Sequence, residues 1–522
     1  MIIAMKKMLL AFALLNWLAF TGAQAQEDPI SQSPSKLKNL REQNAYRLQI
    51  LDTLTTPLHI DPIKRLSEDD ILTKKEGFFV TGFPDIEVDP IRGLGIGGTA
   101  FFFQNRDSSD PFFYYTPYRY RLSTDFRFFT NGRLQGGLNL DVPYMFGTKW
   151  RMRVDALYEF DPNFQYFGIG EQSLRSLEQF DQARTGQPAQ SFRNIDAYLE
   201  NLAQAQTRNG GFITNTHYNE IEIEEMLFNV LPERVWYGGK LRFMFGYEAL
   251  FTRTNDWTGR IAEEAFFDGR EVEAINAQTL INKDAIARTG DGSTEGSTWD
   301  RFNISGVNAI GNNDWFFTSM IAAALIWDTR DLEPDPSKGT FLEYSHEYSA
   351  KWLGSDFAFN KFMIQGQYFN TVAKWRGGKS RLTLAGMAAF GYVWGSNINW
   401  LEMFDLSSQA EAGGINVLGG DRSLRAFRES RFVAPAIGLI NLEARFRLYD
   451  FRALNQHFAL GLTPFYDMGR GWDELSRVGL EGWRGAPGIG GRIAWNQSTV
   501  IRLDFASGAE GSQFFFGFGH IF

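Results

Sequence analysis

The sequence predicts an all-β chain folded as a transmembrane antiparallel β-barrel of about 16 strands, with a short N-terminal periplasmic segment. Three observations predict it. Apolar and polar residues alternate along many segments of eight to nineteen residues, the pattern of strands with lipid on one side and a polar lumen on the other. The 48 Phe, 18 Tyr and 14 Trp are abundant although mean hydropathy is negative, as expected where aromatic girdles mark both membrane interfaces. The longest apolar stretch after the first 25 residues, near Met320 to Trp327, is too short for a spanning helix.

The chain opens with Lys6 and Lys7, an apolar run from Met8 to Phe20 and Ala23-Gln24-Ala25, which reads as a cleaved secretory signal over 1–25. No cysteine is present, which removes disulfides, thiol catalysis and cysteine metal sites. Against 61 acidic residues stand 52 basic ones, a net charge of -9. That balance argues against nucleic acid as a partner.

Residues 26–76 form the expected periplasmic segment, with an amphipathic helix around Leu37 to Leu54 marked by Leu40, Leu48, Leu51 and Leu54. A solvated tail and a helix tucked into the lumen or docked on a partner both fit it. The barrel is expected over 77–522. Its first strand, near 77–84, is weak because it holds Pro84 and few apolar residues. The second, 93–104, contains Gly93-Leu94-Gly95-Ile96-Gly97-Gly98; this satisfies GxGxxG but opens no helix, so dinucleotide binding does not follow.

In the third strand, 118–129, Tyr120, Leu122, Thr124, Phe126 and Phe128 alternate with Arg119, Arg121, Ser123, Asp125 and Arg127, and Asn131-Gly132 makes a two-residue turn. The strands at 133–143 and 150–160 repeat the pattern, and Arg151 and Arg153 join a charged lumen wall. Further strands fall near 217–230, 235–253, 314–328, 340–350, 358–373, 380–396, 433–448, 457–468, 487–496, 499–507 and 513–522. The long connections 161–216, 254–313 and 397–432 all follow odd-numbered strands, which puts them on one face, the extracellular one.

The loop Leu418 to Phe427, LGGDRSLRAF, precedes the strand in which Asn441, Glu443, Arg445 and Arg447 oppose Ile440, Leu442, Ala444, Phe446 and Leu448. With Gly419, Gly420, Asp421, Arg422, Leu424, Arg425 and Phe427, it resembles the conserved loop of the BamA/TamA outer-membrane protein assembly superfamily, the bacterial surface antigen family. Arg425 matches the family arginine and Phe427 the aromatic, while Ala426 replaces the usual glycine. Asp328-Thr329-Arg330-Asp331, Tyr166-Phe167-Gly168-Ile169-Gly170 and Phe465-Tyr466-Asp467-Met468-Gly469-Arg470 resemble other family segments. The end of the chain, Phe515-x-Gly517-x-x-His520-x-Phe522, is similar to the β-signal of outer-membrane barrels, with Phe514, Phe516, Phe518, His520 and Phe522 expected on one face.

The resemblance implies that the loop folds into the lumen and that Arg425 pairs with carboxylates of the inner wall, for which parity nominates Asp467 first and then Glu443. It implies a bacterial outer-membrane barrel that inserts or translocates protein or lipid through a lateral seam between first and last strands. Outer-membrane lipid, unfolded outer-membrane proteins, periplasmic chaperones and assembly lipoproteins are the partners it implies. No POTRA pattern is legible in 26–76, so the chain reads as a barrel-only member. A passive channel or structural barrel, lined by Arg119, Arg121, Arg127, Arg151 and Arg153, is the alternative. No G-x-S-x-G elbow or HExxH occurs, and His59, His217, His346, His457 and His520 are scattered, so no enzyme activity, cofactor or metal site is expected.

Overall fold

The computed structural model describes residues 57–522 except 67–70, 72–73, 90–92, 175–176, 180–189, 193, 196, 199–205, 209–210, 214–216, 259–265, 268–269, 272–278, 286–297, 309–311, 377–379, 405–417, 454–455 and 496–498. The expected signal and the helix at Leu37 to Leu54 lie outside the described residues.

Sixteen long strands follow one another. They are β1 (Phe78–Asp89), β2 (Gly93–Gln104), β3 (Tyr120–Phe129), β4 (Leu134–Val142), β5 (Trp150–Gln165), β6 (Glu220–Trp236), β7 (Leu241–Asp256) and β8 (Phe316–Asp328). The second half comprises β9 (Lys338–Ser349), β10 (Ala358–Trp375), β11 (Ser380–Asn399), β12 (Ala436–Ala453), β13 (Gln456–Trp472), β14 (Arg484–Trp495), β15 (Thr499–Gly508) and β16 (Gly511–Phe518). Every strand pairs antiparallel with its sequence neighbours, an up-and-down meander. A two-residue strand, Ile304–Ser305, adds a seventeenth member by pairing parallel with Ile398 and Asn399.

Alternation sorts the two faces. On β12, Asn441, Glu443 and Arg445 are buried inside, while Leu442 and Leu448 stay exposed. On β8, Ala322, Ala324 and Ile326 face inward and pack with Leu231, Met244 and Phe341, while Leu325 and Trp327 face out. The run Met320 to Trp327 is therefore apolar on both faces, because this sector of the lumen is filled by side chains. The outward apolar face continues through Leu342, Ile364, Ile489, Phe505 and Phe514; a surface this extensive is suited to lipid. Among the described residues no helix is long and apolar enough to cross a membrane.

Four of the expected lumen arginines, Arg119, Arg121, Arg151 and Arg153, are ion-paired. Arg151 reaches Asp141 at 2.7 Å and Glu333 at 3.2 Å, Arg153 reaches Glu233 at 3.2 Å, and Arg119 reaches Asp110 at 3.3 Å.

The described residues of 57–77 dock on the short-turn end of the barrel, so this part of 26–76 is neither a solvated tail nor a helix in the lumen or on a partner but is held on the barrel's own turns. Asp61 pairs with Lys240 at 2.6 Å and Lys64 with Asp328 at 3.1 Å. The backbone N–H of Asp61 donates to Gly238 O at 2.8 Å. Leu66 and Ile71 bury with Phe113 and Tyr114 against Leu332, and Lys74 Nζ donates to the carbonyls of Phe113 and Thr116 at 2.5 Å each. This segment lies across the turns as a strap.

Two expectations at the barrel ends change. β1 runs to Asp89, longer than expected, with Pro84 opposite Gly98; an edge strand tolerates proline because one side needs no ladder bond. β16 stops at Phe518 instead of running to Phe522. Gly519 takes φ +77 and the chain turns inward, so His520 and Phe522 leave the face they were expected to share with Phe514. Phe522 is buried, its carbonyl accepts from Arg445 Nη2 at 2.8 Å, and its ring lies 6.0 Å from that of Phe369.

Candidate functional site

The loop after β11 re-enters the barrel as a closed unit. Leu418 bridges to Phe432 at its neck. Gly419 and Gly420 have φ of +116 and +92, a region that glycine enters without steric cost. A Cβ on Gly419 would also lie 2.1 Å from Arg428 O. Ser423 Oγ accepts from Gly419 N and donates to Gly419 O, both at 2.9 Å. Phe427 N donates to Leu424 O and Gly420 N to Phe427 O, at 3.0 Å each, so the tip is a tight turn.

That turn aims Arg425 into the wall, where it is 0% exposed. Its Nε and Nη2 each donate to Asp467 at 2.8 Å, and Nη1 donates to Glu443 at 2.9 Å and to Asp504 at 3.0 Å. The guanidinium also lies 3.3 Å from the centre of the Phe465 ring. Burial alone would pull the Arg425 pKa down; Asp467, then Glu443 and Asp504, raise it above the ordinary value instead. Three carboxylates around one cation need further donors, and the wall provides them. Arg445 reaches Glu443 at 2.7 Å, Arg492 reaches Asp504 at 2.5 Å, and Arg502 reaches Asp504 at 3.2 Å and Asp421 at 2.6 Å. Asn441 Nδ2 donates to Asp467 at 2.7 Å and to Ser423 O at 2.9 Å.

Small residues on the wall make room for the loop. A Cβ on Gly469 would lie 2.8 Å from Leu418 and 3.0 Å from Leu424, and one on Gly471 would lie 2.7 Å from Ala434. The departure at Ala426 has its complement in Gly508 of β15, where a Cβ would come within 2.9 Å of the Ala426 methyl. Ala426 is not among the residues of positive φ, so its methyl costs no backbone strain. The missing side chain on the facing strand leaves the space that the Ala426 methyl occupies.

The structure thus brings Arg425 together with Asp467 and Glu443, and puts Phe427 against Phe432 with ring centroids 5.0 Å apart. The segment from Tyr166 also joins: Gly170 N donates to Val433 O at 2.7 Å, and Arg431 Nη1 donates to Ser173 O at 2.5 Å. Arg422 reaches the end of the barrel, with Nη2 3.5 Å from Phe518 O. Gly517 lies against the Arg502 guanidinium, and Phe515 stands opposite Asp504. His520 sits apart, with Nε2 3.3 Å from Asp335 in the turn after β8. Asp504, Arg492 and Arg502 were missed from sequence, although Arg502 and Asp504 alternate with Ile501, Leu503 and Phe505 and so share the inward face. Among the described residues no group of three or more His, Asp or Glu is placed to hold a metal ion.

The edges of the sheet form the second part of the site. Among the described residues β1 pairs only with β2 and β16 only with β15, so no ladder joins first strand to last. The ends meet at Phe101 and Phe518, ring centroids 6.3 Å apart and inclined by 68°. Phe101 lies on the inward row of β2 with buried Phe103, whereas Phe518 follows exposed Phe514 on the outward row of β16. The two ends overlap instead of meeting edge to edge.

The Omp85 superfamily domain matches residues 133–522, and a domain of unknown function, DUF5982, matches residues 56–119. No curated protein matches the chain. Among solved structures, BamA from Haemophilus ducreyi lacking POTRA domains 1-3 is similar at 10% identity and TM-score 0.41, over 85% of this chain and 70% of that one. CdiB from Escherichia coli is similar at 8% identity and TM-score 0.42, over 83% and 58%. CdiB from Acinetobacter baumannii is similar at 9% identity and TM-score 0.39, over 85% and 59%. The chain spans less than two thirds of either CdiB chain.

Proposed function

The chain belongs to the Omp85 superfamily, and on that premise we propose that it inserts or translocates protein, or lipid, at the outer membrane through a lateral seam between β1 and β16. The observation that carries the reading is the pair of unmatched edges. Both strands keep full ladders on one side, twelve paired residues in β1 and eight in β16, and none with each other. An unpaired edge presents a row of free N–H and C=O groups that an incoming strand can join. The loop network supports the same reading, because Arg425, Asp504, Arg502 and Arg422 anchor β13, β15 and the end of β16 beside the seam. Strands that flank an opening edge need such a brace.

In this orientation the strap of residues 57–77 lies on the periplasmic side and the long loops outside. The channel reading has less support, since Arg119, Arg151 and Arg153 are engaged with carboxylates. The absence of native cysteine gives a clean test: Thr81→Cys in β1 and Phe516→Cys in β16, bridged by oxidation or a short bis-maleimide. Proteoliposomes holding the bridged protein are expected to insert an unfolded outer-membrane barrel client several-fold more slowly than the reduced ones, with recovery on reduction of the disulfide. Equal insertion in the bridged and reduced forms overturns the seam, and persistent ion conductance in the bridged form would then favour a channel.

A further inference from the structure

A row of arginines crosses the inner wall at one level. Arg381 on β11 stands opposite Arg447 on β12, Arg447 opposite Gly461 on β13, Gly461 opposite Arg492 on β14, and Arg492 opposite Arg502 on β15. Like charges placed directly across strands destabilise a sheet. A lumen that only had to be polar gains nothing from aligning them. Gly461 interrupts the row, and a Cβ there would lie 2.8 Å from Phe446 O and 3.4 Å from Arg492 Cβ.

Beside the row lies a pocket at the short-turn end, lined by Arg381, Arg445, Arg447, Arg492, His520 and Asp335. Each arginine uses one edge on a carboxylate: Arg381 on Asp335 at 2.9 Å, Arg447 on Asp450 at 2.7 Å, Arg445 on Glu443 at 2.7 Å and Arg492 on Asp504 at 2.5 Å. Other edges are left over. Arg445 Nη1, Arg492 Nε and Nη2, and His520 Nδ1 are buried without a hydrogen-bond partner. Arg492 Nη2 comes no nearer than 3.6 Å to Glu443. Arg445 and Arg492 are each only 6% exposed, so these donors are largely removed from bulk water, and buried N–H groups are normally satisfied.

We propose that this pocket binds a tetrahedral oxyanion of the phosphate class, presented from the periplasmic side. Planar guanidinium forks match phosphate oxygens, and Arg445 Nη1 on β12 with Arg492 Nε and Nη2 on β14 offers donors from two strands that flank β13. Asp335, the one acidic residue of the lining, is the internal competitor: it holds Arg381 and His520 when no anion is bound. The same chemistry is carried by a phospholipid headgroup and by free phosphate. The proposal does not depend on whether the seam opens.

Isothermal titration of the full-length chain in zwitterionic detergent, with inorganic phosphate and separately with dihexanoyl phosphatidylglycerol below its micellar concentration, tests it. Saturable binding of one phosphate group per chain is expected, weakened at least tenfold by Arg492→Gln or Arg445→Gln and strengthened by Asp335→Asn. Both Arg variants touch the loop network, so Arg381→Gln provides a second, less connected test and is also expected to weaken binding. Lipid that binds and displaces phosphate identifies a headgroup source, and phosphate binding that lipid does not displace identifies a soluble one; either outcome supports the pocket. No saturable binding of either probe, or binding that Asp335→Asn and Arg381→Gln leave unchanged, overturns it.

Discussion

Arg425 donates to both oxygens of Asp467, at 2.8 Å each, across 42 residues of chain. Both side chains are 0% exposed, so neither can exchange its partner for water. Removing one member of such a pair typically costs about 3 to 5 kcal/mol, because the other charge is left buried. Arg425→Ala leaves three carboxylates facing one another, although Arg445, Arg492 and Arg502 remain close to Glu443 and Asp504. Asp467 loses its bidentate partner outright. The temperature at which the folded, fast-migrating gel band converts to the unfolded one is expected to fall by ten degrees or more in Arg425→Ala, by less in Asp467→Asn; an unchanged conversion in both would refute the brace.

How far this was legible in sequence depends on the kind of signal. Strand number, the order of long and short connections, and the inward parity of Glu443 and Asp467 follow from alternation, which is local. The loop pairing followed from a resemblance, since nothing local tells Arg425 which carboxylate it meets. Asp504 and Arg502 were equally available by parity, yet many inward charges share that property. The inward turn after Phe518 was hidden because alternation continues through His520 and Phe522; only Gly519 marks the break, and a glycine in a glycine-rich strand is a weak signal. The strap was hidden for another reason: among its contacts are turns 39 to 266 residues away.

Ala426 and Gly508 should behave as a steric pair. Gly508→Ala puts a methyl 2.9 Å from that of Ala426, and overpacking of this kind costs about 1 to 3 kcal/mol. Ala426→Gly should be mild alone and should rescue Gly508→Ala, giving a coupling visible in a double-mutant cycle on the same gel conversion. Strict additivity would mean that the two positions do not share the space.

Acid should weaken the short-turn end in two phases. Burial, with Arg445 adding to it and Asp335 opposing, holds the His520 imidazole down to about 4; Arg492 also faces it from β14. The unfolded imidazole titrates near 6.5. Between those values the unfolded chain binds a proton that the folded chain refuses, so stability is highest above about 6.5 and falls as pH drops toward about 4, by up to roughly 3 kcal/mol. For Asp335 burial alone would raise the pKa, but Arg381, then His520 and Arg447, hold it well below the usual carboxylate range. Its contribution is present above its ordinary value and is lost only at lower pH. Conversion temperatures measured from pH 8 to pH 4 should therefore decline, and His520→Gln should flatten the decline above pH 4. A decline of the same size in His520→Gln would assign it elsewhere.

The strap offers a separable test of what closes the short-turn mouth. Two of its polar anchors are Lys64 on Asp328 and Asp61 on Lys240, and Lys64→Glu would set a carboxylate against Asp328 where a cation stood. Gly238 provides an independent way to push the strap off, because it has φ +67 and a Cβ there would lie 2.7 Å from Asp61 N. Gly238→Val therefore strains its own turn and collides with the strap backbone. If residues 57–77 seal the mouth, both variants should become cleavable by added protease within that segment and should raise single-channel conductance in planar bilayers, while the gel conversion moves little. Cleavage without added conductance would show that the strap leaves the mouth but does not seal it, and the ion-paired arginines of the wall, Arg119, Arg151 and Arg153, would then be the barrier to ions.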